Sequence, residues 1–326
     1  MTERSERGGS HRDDRGGRGY RGGSGGGDRG YRGGSGGGRG GGGRGGDRGY
    51  RGGDRGYRDG ERGRSRRLYD DEPRDGLLAD LVGHLHALDG RSYAAYKAIV
   101  GRYRAPAGWF LHIDRVQADP YAPPTRIHMD VPTDLHGLAL LDEADLLADV
   151  DRRLAVGDFL TRELHAGFRG TALSIASPGQ EILQRSSVIV RPDEKKEGTG
   201  WTLEIRARLA LPAQGRSIQG HEASRIVGRD LVRELEEAMD LTGERGDRLV
   251  RHIAILEDHR ALTATVARNG WVSFLADGSV LPRRSGVSDE PLTGGVALES
   301  PDSMAATVEL PHAGTVRGTV VEAGVN

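Results

Sequence analysis

The sequence predicts an α+β fold, with mixed helices and largely antiparallel strands, preceded by a disordered Gly/Arg-rich tail. Three observations predict it. Residues 1–68 contain almost no aliphatic side chains to bury. Beyond them, apolar residues recur at helical spacing in some stretches and alternate in others. The helical and extended stretches come in groups rather than in strict alternation, which argues against a doubly wound parallel sheet.

The tail is repetitive. "GRGYRGGSGGG" (Gly17–Gly27) is followed at once by "DRGYRGGSGGG" (Asp28–Gly38), and a shortened form, "DRGYRGGDRGYRDG", spans Asp47–Gly60. Residues 1–68 hold 28 of the 53 glycines, 18 arginines and 9 carboxylates, a net charge of +9. The 29 bases and 39 acids of residues 69–326 leave −10 there, so a chain that is nearly neutral joins a basic arm to an acidic body. Glycine is costly to order, and a segment this poor in apolar residues is expected to be disordered in isolation. Each tyrosine sits between arginines: Arg18, Tyr20, Arg21; Arg29, Tyr31, Arg32; Arg48, Tyr50, Arg51; Arg55, Tyr57, Arg58. Tyrosine offers a face on which a base stacks, and arginine a planar cation for phosphate and for stacking. The tail resembles RGG-type RNA-binding segments, and these twelve residues are its candidate RNA contacts. The alternative is a solubilising linker, which needs neither the arginines nor the tyrosines.

In the body, Pro73–Leu88 is expected to be helical, with Leu77, Leu78, Leu81, Val82, Leu85 and Leu88 on one stripe and Gly90 after its end. "SYAAYKAIVG" (Ser92–Gly101) reads as a second helix with an N-terminal serine cap. Strands follow at Trp109–Val116 and Arg126–Val131, across a proline-rich turn. Glu143–His165 is expected to be helical, with Gly157 a point of interruption. Strands return at Ser186–Val190 and Trp201–Leu211. In the latter, Leu203, Ile205, Ala207 and Leu209 share one face and Thr202, Glu204, Arg206 and Arg208 the other, the pattern of a sheet with one wet side. Helices are expected at His221–Met239 and Asp247–Arg268, then a hairpin over Trp271–Pro282 turning at Asp277-Gly278, then two short strands.

Several chemistries are excluded or weak. There is no cysteine, hence no disulfide, thiolate metal site or cysteine nucleophile. The only lysines are Lys97, Lys195 and Lys196, and none follows a glycine, so Gly-x-x-x-x-Gly-Lys-Ser/Thr is absent. No metal site is expected from the eleven histidines; His84 and His86 fall on different faces of a helix. Asp119, before Pro120, reads as a turn former, and Glu257 in "EDHR" as part of a solvated helix face; a hydrolase built on either is the alternative. With neither a secretory signal nor a membrane span, a soluble cytoplasmic protein is expected.

Five blocks carry a resemblance: "LDGRSYAAYKAIVGRY", "IDRVQADPYAPPTR", "GQEILQRSSVIV", "LPAQGRSIQG" and "FLADGSVLPRRSGVSDEPL". In this order they resemble the N-terminal region of predicted ATPases of the ABC class. The resemblance implies residues 69–313 as that α+β domain and 314–326 as the start of a P-loop core, whose Walker elements are missing from the sequence. For the complete family protein it implies ATP and Mg, and as partner a separate or downstream ATPase core. No catalytic residue is carried over. A rigid loop places Asp277, Arg283 and Arg284 as candidates to face such a core. The function this suggests is a non-catalytic module carrying an RNA-binding tail, either a truncated or split ATP-binding protein or a natural form without the motor. The alternative is a stand-alone RNA-binding or condensate-forming scaffold.

Overall fold

Alternation in the sequence builds the centre of the main sheet. The computed structural model describes residues 74–193 and 200–324, all within one compact unit. The tail, with its twelve candidate contacts and its expected disorder, lies outside the described residues. In chain order the elements are β1 (Arg74–Leu77), α1 (Leu78–Ala87), β2 (Gly101–Arg104), β3 (Phe110–Arg115), β4 (Thr125–Pro132), α2 (Ala139–Glu143), α3 (Val150–Gly167), β5 (Leu173–Ser174), β6 (Val188–Pro192) and β7 (Trp201–Leu209). They continue with β8 (Ala213–Gln214), β9 (Ser217–Ile218), α4 (Gly220–Arg225), α5 (Leu231–Met239), α6 (Glu244–Arg268), β10 (Trp271–Ala276), β11 (Ala305–Leu310) and β12 (Gly314–Glu322). This is the α+β class the sequence predicts.

The large sheet runs β1-β2-β3-β4-β7-β5, with β6 also on β7. Only the β1–β2 pair is parallel. Leu111, Ile113, Ile127, Met129, Val131, Leu203, Ile205 and Leu209 all point inward and are essentially fully buried. They join Leu160 and Leu164 of α3 and Leu231 and Leu235 of α5 in one apolar cluster. A second, three-stranded sheet, β10-β12-β11, follows α6.

Four expectations are corrected. The helix expected from Pro73 begins only at Leu78, because Arg74–Leu77 is drawn into the sheet as β1. There Gly101 sits at φ 153°, and a Cβ on it would lie 2.3 Å from the Arg74 carbonyl oxygen, so the pairing needs a glycine. The second expected helix is a 3₁₀ turn, Tyr93–Ile99. That geometry eclipses residues three apart. Tyr93 and Tyr96 therefore stand edge to face at 5.1 Å, and donate to the carbonyls of Leu211 (3.3 Å) and Pro212 (2.9 Å). Gly157 does not interrupt α3; a Cβ there would be 2.8 Å from the Val188 carbonyl oxygen, so the glycine lets helix and β6 touch. The hairpin expected at Trp271–Pro282 turns at Gly278 (φ 87°), but its returning arm is no strand, and β10 pairs with distant β12 instead.

The helix expected over His221–Met239 is present as α4 and α5 joined by a π-type turn, Ile226–Asp230. A Cβ on Gly228 within that turn would lie 2.8 Å from the Val82 side chain, which marks a close approach to α1.

A buried carboxylate ties the layers together. Asp158 of α3 is 1% exposed. Its oxygens take Arg162 Nε at 2.7 Å, Arg185 Nε at 2.9 Å and His252 Nε2 of α6 at 3.2 Å. Burial pushes the carboxyl up, but the hydrogen bonds from His252, Arg162 and Arg185 outweigh it and hold it at about 2. Five residues further along α6, Glu257 binds Arg152 of α3 (2.8 Å) and also His312 in the β11–β12 turn. Asp258 accepts the backbone N–H groups of His312 and Ala313 at 2.8 and 2.9 Å.

Because the carboxyl of Asp158 lies below its ordinary 3.8, its stabilisation is complete above about pH 4 and is lost as the pH falls through about 2. That shift corresponds to roughly 2 kcal/mol. Asp158→Asn leaves two arginines facing a neutral group and is expected to cost about 3 kcal/mol at pH 7. A urea midpoint unchanged by the substitution would contradict this.

Candidate nucleic-acid interface on the large sheet

The second face of the large sheet is wet, as the alternation of β7 predicts. Register places its side chains in rows across the strands. One row is Arg104, Phe110, Asp130 and Glu204. The next is Arg102, His112, His128 and Arg206. The third is Arg115, Arg126, Arg208 and Ser174.

The third row exists because of an irregularity. Strict alternation would turn Arg115 into the core. The register shifts between Ile113 and Arg115, so Asp114 and Arg115 are both exposed and Arg115 stands opposite Arg126. Three arginines thus face one another on adjacent strands, an arrangement that destabilises a sheet. Among the described residues, no carboxylate pairs with Arg115, Arg126 or Arg208. Asp114, the nearest acid in sequence, is engaged by His128 Nδ1 at 2.9 Å.

The other two rows are ordered by planar contacts and by a clamp. The guanidinium of Arg102 lies 3.8 Å from the Phe110 ring centre. His112 and His128 stack at 4.1 Å, 11° from parallel. Arg191 of β6 reaches Asp130 (2.8 Å) and Glu204 (3.1 Å), and Arg206 reaches Glu204 (2.6 Å), so two guanidiniums meet the row's two acids. Burial pushes Asp130 up; the His112 ring and Arg191 more than reverse it, to about 2. Seven arginines (the six in these rows and Arg191) share this face with four carboxylates, Asp75 beside Arg102 on β1, Asp114, Asp130 and Glu204, on a body that is otherwise acidic. Arg102 Nε and His112 Nε2 are buried without a hydrogen-bond partner; the latter is 3.3 Å from Asp130, at ion-pair distance but out of line.

A cleft of ≈ 570 Å³ opens on the same face, lined by Arg126, His128, Arg206 and Arg208 and by Asp114, with Ser174 and Ser186 at its side. It lies where the edge of β7 changes partner, from β6 at Ile205 to β5 at Arg208. Its three arginines outnumber the one carboxylate, which His128 engages, and this makes it a place for an oxyanion.

His112, His128 and Asp130 also bring ligand atoms within 4.8 Å of one another, a juxtaposition across β3 and β4 that spacing in the sequence does not show. Near-parallel rings aim their in-plane lone pairs side by side, and Asp130 is already held by Arg191. The geometry suits a stacked pair in a cationic field and not a cation site.

The model of the N-terminal domain of ATPases of the ABC class matches residues 78–241, half of the chain. The chain belongs to the ABC-class ATPase family. The P-loop domain of the ABC ATPases matches residues 245–326. The expectation that only the N-terminal region is represented is therefore corrected in part: α6 and β10–β12 fall within the P-loop match although they carry no phosphate-binding motif. No characterised protein matches the chain in sequence.

Among the described residues this P-loop segment shows no phosphate-binding motif. It contains no lysine, and its Gly294-Gly295 loop leads into no helix whose N-terminus could hold a phosphate. No step is assigned to ATP here. Asp277 is engaged structurally: it accepts Ser300 N at 2.8 Å and Arg317 Nη1 at 2.6 Å, and bonds the Ser300 hydroxyl. These bonds, that from the Ser300 hydroxyl foremost, hold its carboxyl below the usual range. Arg284 pairs with Glu290 at 2.5 Å, and Arg283 lines a shallow cleft with Arg185 and Asp289. The three do not converge on one point.

Of the other candidates, Asp119 accepts the Tyr121 N–H at 2.9 Å, the turn former expected. Glu257 does not lie on a solvated face as expected, since it joins α3 to the β11–β12 turn. His86 meets His221 of α4, and His84 Nε2 is buried without a partner. Among the described residues, no helix is long and apolar enough to cross a membrane.

The unrelieved Arg115–Arg126–Arg208 row makes a testable demand on stability. Arg126→Thr, which keeps a strand-forming residue, is expected to leave stability equal or raise it by up to about 1 kcal/mol, most at low salt. A clear loss in the urea midpoint at low salt would show that Arg126 has a structural partner.

Proposed function

We propose that this chain is an RNA-binding accessory module of an ABC-class ATPase. The tail grips RNA through its RGYR repeats, and the folded body joins that grip to ATPase machinery. The division of charge carries this reading: arginine and tyrosine are concentrated in a tail without acidic excess, on a body of opposite sign. The wet sheet face supports it, because the acidic body there repeats the tail's chemistry of guanidinium and planar ring.

The chain by itself hydrolyses no ATP, since it lacks the lysine that cradles the β- and γ-phosphates. Turnover belongs to a Walker-bearing core of the same family, supplied on the same or another chain. RNA held by the tail then accelerates that turnover.

Arg→Lys exchange throughout residues 1–68 keeps the charge but removes planar stacking and bidentate hydrogen bonding. It is expected to weaken binding of a fluorescent single-stranded RNA by about tenfold or more. Binding by the unaltered chain is expected to fall steeply between low and high salt, as counterion release requires. Salt-independent binding, or no RNA binding at all, would refute the RNA assignment.

A further inference from the structure

We infer that the wet face of the large sheet is itself a single-stranded RNA platform, with Arg126 and Arg208 at its cleft taking the phosphodiester backbone. The platform deepens the RNA-binding reading but rests on the folded body and not on the tail.

The argument starts from what the face leaves unsatisfied. Arg115, Arg126 and Arg208 oppose one another in register, and no acid among the described residues forms an ion pair with them; Asp114, in the same cleft, is held by His128. Neighbouring strands are about 4.8 Å apart, so the row spans roughly 10 Å. That length suits a chain of anions better than one phosphate. The cleft beside it adds the Ser174 and Ser186 hydroxyls, to which the described residues give no partner.

One pleat away, about 7 Å along the strands, the next row presents the stacked His112–His128 pair. Phe110 follows, with Arg102 across it. Planar rings beside a cationic track match the alternation of base and phosphate in a single strand, and every base has a face to stack. A phosphorylated protein segment would need the cations without the rings. A duplex keeps its bases stacked inside and gains nothing from the His112–His128 pair. The local field favours the polyanion, because Arg191 and Arg206 together already neutralise Asp130 and Glu204.

The test uses the full chain, a fluorescein-labelled oligouridylate and, as a second probe, uridine monophosphate. One variant carries Arg126→Glu with Arg208→Glu, and a second Arg126→Lys with Arg208→Lys. A third carries alanine in place of Tyr20, Tyr31, Tyr50 and Tyr57. Both arginines are exposed and have no carboxylate partner among the described residues, so no variant should fall below the urea midpoint of the parent, and this is measured first. The Glu pair is expected to weaken oligouridylate binding at least tenfold. The Lys pair, which keeps the charge, is expected to stay within about threefold. In the Lys-to-Glu comparison the salt slope falls by about 1.4, two phosphate contacts at 0.7 each. Ultraviolet crosslinks to the oligonucleotide are expected within residues 110–130.

If the Glu pair binds as the parent does while the tyrosine variant loses binding, the platform is overturned and the tail reading stands. If the Glu pair loses binding and the tyrosine variant does not, the platform stands and the tail reading falls. Uridine monophosphate binding as tightly as the oligonucleotide, and equally lost in the Glu pair, would make the cleft a mononucleotide site and overturn the platform.

Discussion

The carboxylate of Asp158 is the constraint on which the arrangement of the described residues depends. It is a charge inside the apolar layer, which is tolerable only when its partners are all present. Those partners come from three places: Arg162 on its own helix, Arg185 on the segment entering β6, and His252 on α6. Removing any one of these segments would leave a buried charge underpaired, so their mutual placement is cooperative. An apolar residue at 158 could fill the volume, but it would fix no orientation. The carboxylate fixes three.

The same helix then passes the constraint on. Glu257 lies five residues after His252 and again binds α3, through Arg152, while it also holds His312. Asp258 closes the β11–β12 turn by taking two of its backbone N–H groups. The N-terminal family domain ends at Leu241 and the P-loop segment begins at Arg245, so α6 belongs to the second while it is bolted to the first. A displacement of the small sheet would therefore pull on charged contacts to α3 and not on a slack linker.

The fold was largely legible in the sequence because most elements are amphipathic. The alternation in β7 gave both its buried and its wet face, and the spacing in α3, α5 and α6 gave their stripes. What was missed depended on partners distant in sequence. Arg74–Leu77 looks helical until Gly101 offers it a strand to pair with, and β10 pairs with β12 across a long loop rather than with its own return. The site was less legible. Arg206 and Arg208 could be placed on a wet face, but the like-charge row needs the β3–β4 register and the shift at Asp114. The His112–His128 stack joins residues sixteen apart through the same register. A clue was available: a strand that presents arginine twice on its solvent side, within an acidic body, departs from what solubility alone asks.

Stability and binding make opposite demands on that face. A sheet designed only to fold would place a carboxylate beside each arginine, as Asp130 and Glu204 stand beside Arg191 in the adjoining row. Instead the irregularity at Asp114 brings a third arginine to a row that already has two, and commits Asp114 to His128. Local conflicts of this kind, kept inside an otherwise consistent fold, are where function is expected to reside. The Asp158 knot makes the conflict affordable, because it anchors α3, which packs on β6, one of the two strands flanking the cleft, independently of the charges on the wet side. A rigid sheet can carry an unsatisfied cationic row without relaxing it away, and the polyanion proposed for this face would find its donors already in place.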